Sequence, residues 1–478
     1  MDGLECSEIR LSCLERTARI DAEFYKKENL YIDAELKKTD FHPITDYFSV
    51  SDGNHMSISD SFCSEGIPYY RGQDIYHVFI EEASPICINK KTYEHPHMHR
   101  SHLKAGDVLM SIVGAIIGNS AIVSTDNDAT CSCKLSILRS KNTGIIPEAL
   151  LVYIKSLYGQ NQIQKFKRGA AQTGLLLEDF DQLFIPKFGE EFQQAVKKIV
   201  DLSHEFVLAA SEIYRDVEKT LGDTIWDDAS EPESLSSSIK NYSDSFLISG
   251  RLDAEYYQPK YDAFLNVLNR FETTSIPAEY HVIKNSGTNY ADGISDVGVI
   301  KTKQLNNSGI DTESIESYFS AKTCVENKST FLKSGDVVFA SMGVGSLGKV
   351  SIFSNDGEKK FVTDSTLRIY RAKPTAKVRP EVLCVFLQSK LGQELIYRYV
   401  VGSTGIINIY DNDIAKIPIP IFDDSIQEHI AVKVQESFSL CKQSKQLLEY
   451  AKQAVEKAIE QGEDVALEWL KDKIPAEV

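Results

Sequence analysis

Two short runs place cations and amides where a nucleic acid could be read. Arg71-Gly72-Gln73 and Lys301-Thr302-Lys303-Gln304 each follow an apolar run that reads as a strand. Arginine and lysine suit guanine or a phosphate, and glutamine suits adenine. Lys165, Lys167 and Arg168, with Gln172 and Thr173, form the most basic short run of the first half. Gly169 and Gly174 beside them would let backbone amides approach a phosphate closely. Arg398, Ser403 and Thr404 hold the corresponding place in the second half, with a weaker basic character. DNA contact is the expectation for the first three sets and for Thr404. A solvated loop at Arg71 and Lys301, and a helix C-terminus capped by lysines at Lys165, are the plainer alternatives.

Other candidate chemistry fails on its surroundings. Gly343-Val344-Gly345-Ser346-Leu347-Gly348 has the spacing of a dinucleotide-binding loop, with Asp364 about twenty residues on. That fingerprint requires a helix next, for its N-terminus to hold the pyrophosphate. Here Lys349-Val350-Ser351-Ile352-Phe353 follows, which reads as a strand, so the run is expected to be a turn between strands. His95, His97, His99 and His102, with Cys131 and Cys133 beyond, suggest zinc on paper. Pro96 prevents a regular ligand-bearing helix and the second half has no counterpart, so no metal is expected. There is no Asn-Pro-Pro or Asp-Pro-Pro methyltransferase motif, no GxxxxGK[ST] loop, and no nuclease cluster of carboxylates with a lysine. Catalytic residues are therefore expected to be none.

The elements that must position these runs are two long helices. Phe192, Val196, Ile199, Phe206, Ile213, Val217 and Leu221 make one apolar stripe from Gly189 to Asp223 without a proline. From Ser425 to about Leu470, Ile430, Val434, Phe438, Leu448 and Val455 belong to a second stripe, with Ser425 and Glu428 spaced as a capping box. Such stripes need partners of similar length. Trp226 and Trp469 fall near the helix ends, where packing is expected.

Length explains why there are two of everything. A chain of 478 residues exceeds one hydrophobic core. Arg19-Ile20-Asp21-Ala22-Glu23-Phe24-Tyr25 returns as Arg251-Leu252-Asp253-Ala254-Glu255-Tyr256-Tyr257. Leu103-Lys104-Ala105-Gly106-Asp107-Val108 returns as Leu332-Lys333-Ser334-Gly335-Asp336-Val337. Leu135–Arg139 matches Leu367–Arg371, and Pro147-Glu148-Ala149-Leu150 matches Pro380-Glu381-Val382-Leu383. Thr173-Gly174 with Asp179 and Asp181 matches Thr404-Gly405 with Asp411 and Asp413. Each long helix follows an Ile-Pro lead-in, at Ile185-Pro186 and Ile419-Pro420. The repeated carboxylates Asp21, Glu23, Asp253 and Glu255 are expected to form salt bridges or caps. Within each half, Val108–Ser111 and Val337–Ala340 read as strands. Asn355-Asp356-Gly357 reads as a hairpin turn between Val350–Phe353 and Phe361–Val362. Leu150–Leu157 and Val382–Leu391 read as helices.

Composition bounds the setting. Hydrophobic residues at 42% and charged residues at 25% are those of a soluble globular chain. The net charge of −17 argues against indiscriminate DNA binding. The acidity is concentrated, with 13 acidic against 5 basic side chains in 189–245 and 12 against 7 in 423–478. The remainder is close to neutral. Nine cysteines without framework spacing, and an acidic, polar Met1–Glu5, fit reduced thiols in the cytoplasm with no membrane span.

Taken together, the doubled RxDAE[FY]Y segment, the LKxGDV strand with its glycine turn, and the TG…D.D…IP run before each long helix resemble the specificity (S) subunit of a type I restriction–modification system. The resemblance covers roughly 17–470. It implies a mixed α/β (α+β) fold with two tandem target-recognition domains separated by two long helices packed as an antiparallel coiled coil. The corresponding boundaries are 1–188 for the first domain with an N-terminal segment 1–16, and 189–224 for its helix. An acidic linker follows at 225–245, then the second domain at 246–422, and the second helix and tail at 423–478. It also implies a non-catalytic chain that reads a bipartite, gapped double-stranded DNA target, with the helices setting the gap. Two methyltransferase subunits, carrying S-adenosylmethionine, and motor-nuclease subunits would be its partners. The rival expectation is a defence-related scaffold of the same fold that binds proteins in place of DNA. The acidic surface is its support.

Overall fold

The first stripe is a single helix, Glu190–Trp226, and most of the second is Asp424–Gln461. The computed structural model describes residues 6–10, 19–168, 173–226, 237–243, 245–286, 296–355, 357–402 and 407–474. The second helix ends before its stripe does. Gly462 has a φ of 93°, a left-handed turn that favours glycine, and a separate helix runs Glu463–Lys471. The capping box at Ser425 and Glu428 does not form. The helix opens one residue earlier, the Asp423 carbonyl accepts from Ile426 and Gln427 at 3.0 Å, and Glu428 is drawn into an ion pair with Arg379.

The chain divides into two compact units, Met1–Val207 with Lys442–Val478, and Leu208–Cys441. Each unit therefore contains a stretch of both long helices. In the first unit, Ser203 Oγ meets Ser444 Oγ at 2.7 Å, and the Gly189 amide donates to Glu463 at 3.0 Å. Moving back along one helix moves forward along the other, so the pair is antiparallel. In the second unit, Ser437 Oγ donates to the Ala210 carbonyl at 2.9 Å. Phe192, Val196, Ile199, Phe206, Val217, Ile430, Val434 and Val455 are buried. Ile213, Phe438 and Leu448 are half-buried, and their neighbours Tyr214, Ser437 and Leu447 face inward in their stead. A pattern built on large apolar residues passes over Ser203, Ala210, Ser437 and Ser444. These are the small residues that let the helix backbones approach.

Each unit carries the same four-stranded antiparallel sheet. Its order is Phe48–Asp52, Leu135–Ser140, Val108–Ser111, Ser120–Ile122 in the first unit. In the second it is Tyr280–Ile283, Leu367–Ala372, Val337–Ala340, Val350–Ile352. Val108–Ser111 and Val337–Ala340 are buried along their whole length, as befits strands with neighbours on both sides. The expected hairpin at Asn355 is absent. Val350–Ile352 pairs with Val337–Phe339, whereas Lys360–Thr363 pairs in parallel with Val297–Ile300 in another sheet. Asn355 spends its side chain on the Gly357 and Lys359 carbonyls, a local turn that does not zip flanking strands together.

The segments expected as one helix each are two. Pro147–Lys155 and Leu157–Phe166 meet at Ser156, and Pro380–Gln388 and Lys390–Arg398 meet at Ser389. Each serine Oγ caps the second helix by accepting from Gly159 or Gly392. The long helices are tied to their globules by one device used twice. Gln193 accepts from the Ile146 amide and donates to the Gly144 and Phe188 carbonyls. Gln427 accepts from the Arg379 amide and donates to the Lys377 and Phe422 carbonyls. In the second unit, Val217, Leu221, Ile430 and Val434 share one core with Phe339, Tyr370, Phe386 and Leu395.

Burial pushes the Lys155 ammonium down to about 8, with Lys452 adding to the shift and Glu82 opposing it. An unfolded lysine titrates at about 10.4, so the unfolded chain binds more protons between those values and stability rises with pH across that window. Lys155→Met is expected to stabilise the first unit by about 1–2 kcal/mol at pH 7, a gain that fades towards about pH 10.5. Urea unfolding of both chains at the two pH values measures it.

Candidate nucleic-acid interface

The most specific repeated motifs turn out to build the platform. Asp107 is 1% exposed and Asp336 2%. Asp107 accepts the Lys104 amide at 2.9 Å and a two-pronged contact from Arg139 at 2.7 and 2.6 Å. Asp336 does the same with the Lys333 amide at 2.8 Å and Arg371 at 2.8 and 2.6 Å. The carboxylates hold both guanidinium groups above the ordinary arginine range. Thus Leu-Lys-x-Gly-Asp and the arginine on the neighbouring strand form one charge pair per unit, with the carboxylate buried and the guanidinium part-buried.

The RxDAE[FY]Y segment is a second structural lock. Arg19 binds Asp21 at 2.7 Å and covers the Phe24 ring at 4.9 Å; Arg251 binds Asp253 at 2.6 Å and covers Tyr256 at 4.8 Å. Those arginines hold the Asp21 and Asp253 carboxyls below the usual range. The expected salt bridges form at Asp21, Asp253 and, with Lys26, at Glu23, whereas Glu255 accepts a hydrogen bond from Gln258. A second cation lies on each ring: Lys165 at 4.2 Å from Phe24, and Arg398 at 4.7 Å from Tyr256. This corrects the expectation for Lys165. It is 7% exposed and its Nζ lies 2.6 Å from Asp33, so it belongs to the core of the lead-in segment and not to a DNA surface.

At the far end of the central strand, three segments meet. In the first unit, the Gly114 amide donates to Thr173, Leu175 donates to Ile112, and Arg168 and Gly174 exchange backbone bonds of 3.0 and 2.8 Å. A Cβ on Gly72 would sit 3.3 Å from Ile116, so the Arg71–Gln73 turn also lies against this glycine turn. In the second unit, Gly343 donates to Ile407, Ile409 to Ser341, and Val401 and Asn408 exchange bonds of 2.9 Å. Ile300 reaches the same turn through Asp364, whose amide it accepts, and through Thr366, whose carbonyl accepts from Ser341. By these bonds Asn408 fills the place of Gly174, so the match of Thr173-Gly174 to Thr404-Gly405 is shifted by three residues. Gly343–Gly348 links antiparallel strands, as expected, and no helix begins there.

The expected contact residues divide sharply. Arg71 is bound to Asp74 at 3.1 Å, Arg168 to Asp179, and Lys303 to Glu316. Lys301 donates to Ser317 at 2.7 Å. Gln304 is 1% exposed, accepts the Lys301 amide and donates to the Ser314 carbonyl, so it cannot present its amide to a base as expected. Gln73 is exposed, Lys167 and Thr173 are half-buried, and Thr173 Oγ1 lies 3.4 Å from the Gly114 carbonyl. Gln172 and Thr404 lie outside the described residues. Two exposed cations beside the glycine turns, Lys134 in the first unit and Lys349 in the second, went unnoticed in the sequence because each stands alone in its run.

The histidine run is occupied locally. His102 stacks on Tyr93 at 3.8 Å and contacts the Tyr93 carbonyl at 2.9 Å, and His99 contacts the Glu94 carbonyl. Among the described residues, no three His, Cys, Asp or Glu side chains group as a metal would need, and no helix is long and apolar enough to cross a membrane. Trp226 packs at the edge of the second unit's core, and Trp469 against Tyr450 at 5.9 Å.

Residues 281–450 match the family described as the type I restriction modification DNA specificity domain. No curated protein matches the chain. Among solved structures, the chain is similar to the S subunit of a type I restriction-modification system from M. genitalium. Identity is 11%, over 88% of this chain and 94% of that one, with a TM-score of 0.38. It is also similar to the HsdS subunit from Thermoanaerobacter tengcongensis, at 15% identity over 88% and 96%, with a TM-score of 0.29.

Proposed function

We propose that this chain, whose residues 281–450 match the type I restriction modification DNA specificity domain, is the recognition subunit of such a system, and that each unit reads one block of a bipartite, gapped double-stranded DNA target. The observation that carries this reading is the doubled platform. The specificity-domain match covers residues 281–450, and the first unit repeats its sheet, its Asp–Arg pair, its glutamine tie and its glycine turn. Two copies of one platform suit two half-sites, and the residues that differ at the glycine turns suit different bases. The helices, at 37 and 38 residues, would each span roughly 55 Å and act as the ruler for the gap. Two methyltransferase subunits dock on the chain and carry S-adenosylmethionine, motor-nuclease subunits complete the complex, and catalysis resides in those partners.

A random-DNA selection with the chain purified together with its methyltransferase subunit tests this. The expected result is two short enriched blocks separated by a fixed unspecified gap. A folded, assembled complex that enriches nothing would sink the proposal and favour the protein-binding scaffold, for which the charge of −17 is the support. Deleting four residues from the first long helix shortens it by about 6 Å. The enriched blocks should stay the same while the gap between them changes; an unchanged gap would remove the ruler role.

A further inference from the structure

Three of the cations that the sequence singles out at the glycine turns are neutralised. Asp74 holds Arg71, Asp179 and Glu178 hold Arg168, and Glu316 holds Lys303. An ion-paired guanidinium or ammonium brings little net charge to a phosphate. Lys134 and Lys349 differ. Both are exposed, and neither has a side-chain hydrogen bond or ion pair among the described residues. Both are anchored through their backbones at the root of the turn. The Lys134 carbonyl accepts from Ile112 at 3.0 Å, and the Lys349 carbonyl accepts from Ala340 at 2.8 Å.

Their positions are not equivalent. Ser341 donates to Thr366 as Ile112 donates to Lys134, so Thr366 is the second unit's counterpart of Lys134. Ser111 donates to Asn119 as Ala340 donates to Lys349, so Asn119 is the first unit's counterpart of Lys349. Thr366 is tied by its hydroxyl to Asp364 at 2.6 Å. Each unit therefore presents at its turn an exposed lysine with no described side-chain partner, Lys134 in the first and Lys349 in the second. In the first unit it flanks the turn on the side of strand Leu135–Ser140, and in the second on the side of strand Val350–Ile352.

We propose that Lys134 and Lys349 are the backbone-positioning contacts of the two units, each binding one DNA phosphate beside its glycine turn. A lone ammonium on a flexible stem suits a phosphate better than a base edge, because it offers point charge without a fixed fork. Placing it on opposite flanks of one shared scaffold sets a different register of the backbone over each turn. This rests on the DNA-recognition reading above and adds the residues that hold the duplex in place.

The test uses the full chain assembled with its methyltransferase subunit and a labelled duplex of mixed sequence, titrated between about 50 and 200 mM KCl. Neutralising a phosphate changes the slope of log K against log salt by about 0.9 per contact. Lys134→Ala and Lys349→Ala should each make the slope shallower by about 0.9, and the double variant by about 1.8. Lys134→Arg with Lys349→Arg should restore it. Lys104→Ala with Lys333→Ala removes the same charge from exposed positions at the opposite end of the same strands and should leave the slope unchanged. An unaltered slope in the first double variant, or an equal loss in the second, overturns the proposal while leaving DNA recognition standing. A parent complex with no salt-dependent binding overturns both.

Discussion

Asp107→Ala is expected to lower the unfolding free energy of the first unit by about 3 kcal/mol, and Asp336→Ala that of the second by a similar amount. Each carboxylate is almost fully buried and is the shared acceptor for a loop amide and both prongs of an arginine. Removing it leaves the Lys104 or Lys333 amide without its acceptor and strands a part-buried guanidinium. The arginine side chains are 36% and 22% exposed, so water recovers part of the loss, and the second unit should suffer slightly more. Urea unfolding of the full chain, followed with a probe in each unit, reads this directly. A loss under about 1 kcal/mol in the affected unit would mean that the pair is a surface-like bridge and not a fastener of the fold.

The largest effect from a single methyl group should come at Gly159 and Gly392. A Cβ at Gly159 would lie 2.1 Å from the Tyr153 carbonyl oxygen, and one at Gly392 would lie 2.0 Å from that of Phe386. The obstacle is backbone, so no side chain can swing aside. Nor is the backbone free to move. Gln160 Nε2 donates to the carbonyls of Ile154 and Gly118, and Gln393 Nε2 to those of Leu387 and Gly348. The helix junction and the glycine turn are thus fastened to each other in both units. Gly159→Ala or Gly392→Ala should cost the altered unit more than about 3 kcal/mol, because any relief displaces the turn. Gly222 is the control. It lies within the first long helix with nothing within 4 Å of its missing Cβ, and Gly222→Ala should stabilise by about 0.5–1 kcal/mol. Thermal unfolding of the three variants ranks them; a mild Gly392→Ala would show that the junction can open.

The duplication, the two long helices, the strand turn at Gly343 and the resemblance to the specificity domain that residues 281–450 match were legible in the residues alone. Each depends on order or on period, and both are properties of neighbouring positions. The helix stripes follow from 3.6-residue geometry, and a turn between strands follows from what comes directly after the glycines. What the tertiary structure decided is which polar residues are free. Lys165 looks like part of a basic surface run until Asp33 and Phe24, far earlier in the chain, close over it. Gln304 reads as an exposed amide until Ser314 and the Lys301 amide take its hydrogen bonds. The turn at Asn355 is local and real, yet its two strands join different sheets because Val297–Ile300 offers Lys360–Thr363 a buried parallel partner. Conversely, Lys134 and Lys349 look ordinary in sequence; the fold brings Lys134 to a glycine turn distant in the chain, and only the fold shows that neither lysine has a described carboxylate bound to it. A charge acts on whatever lies within a few ångströms of it. Local sequence specifies the element that carries a charge, and long-range packing specifies whether that charge is already spent.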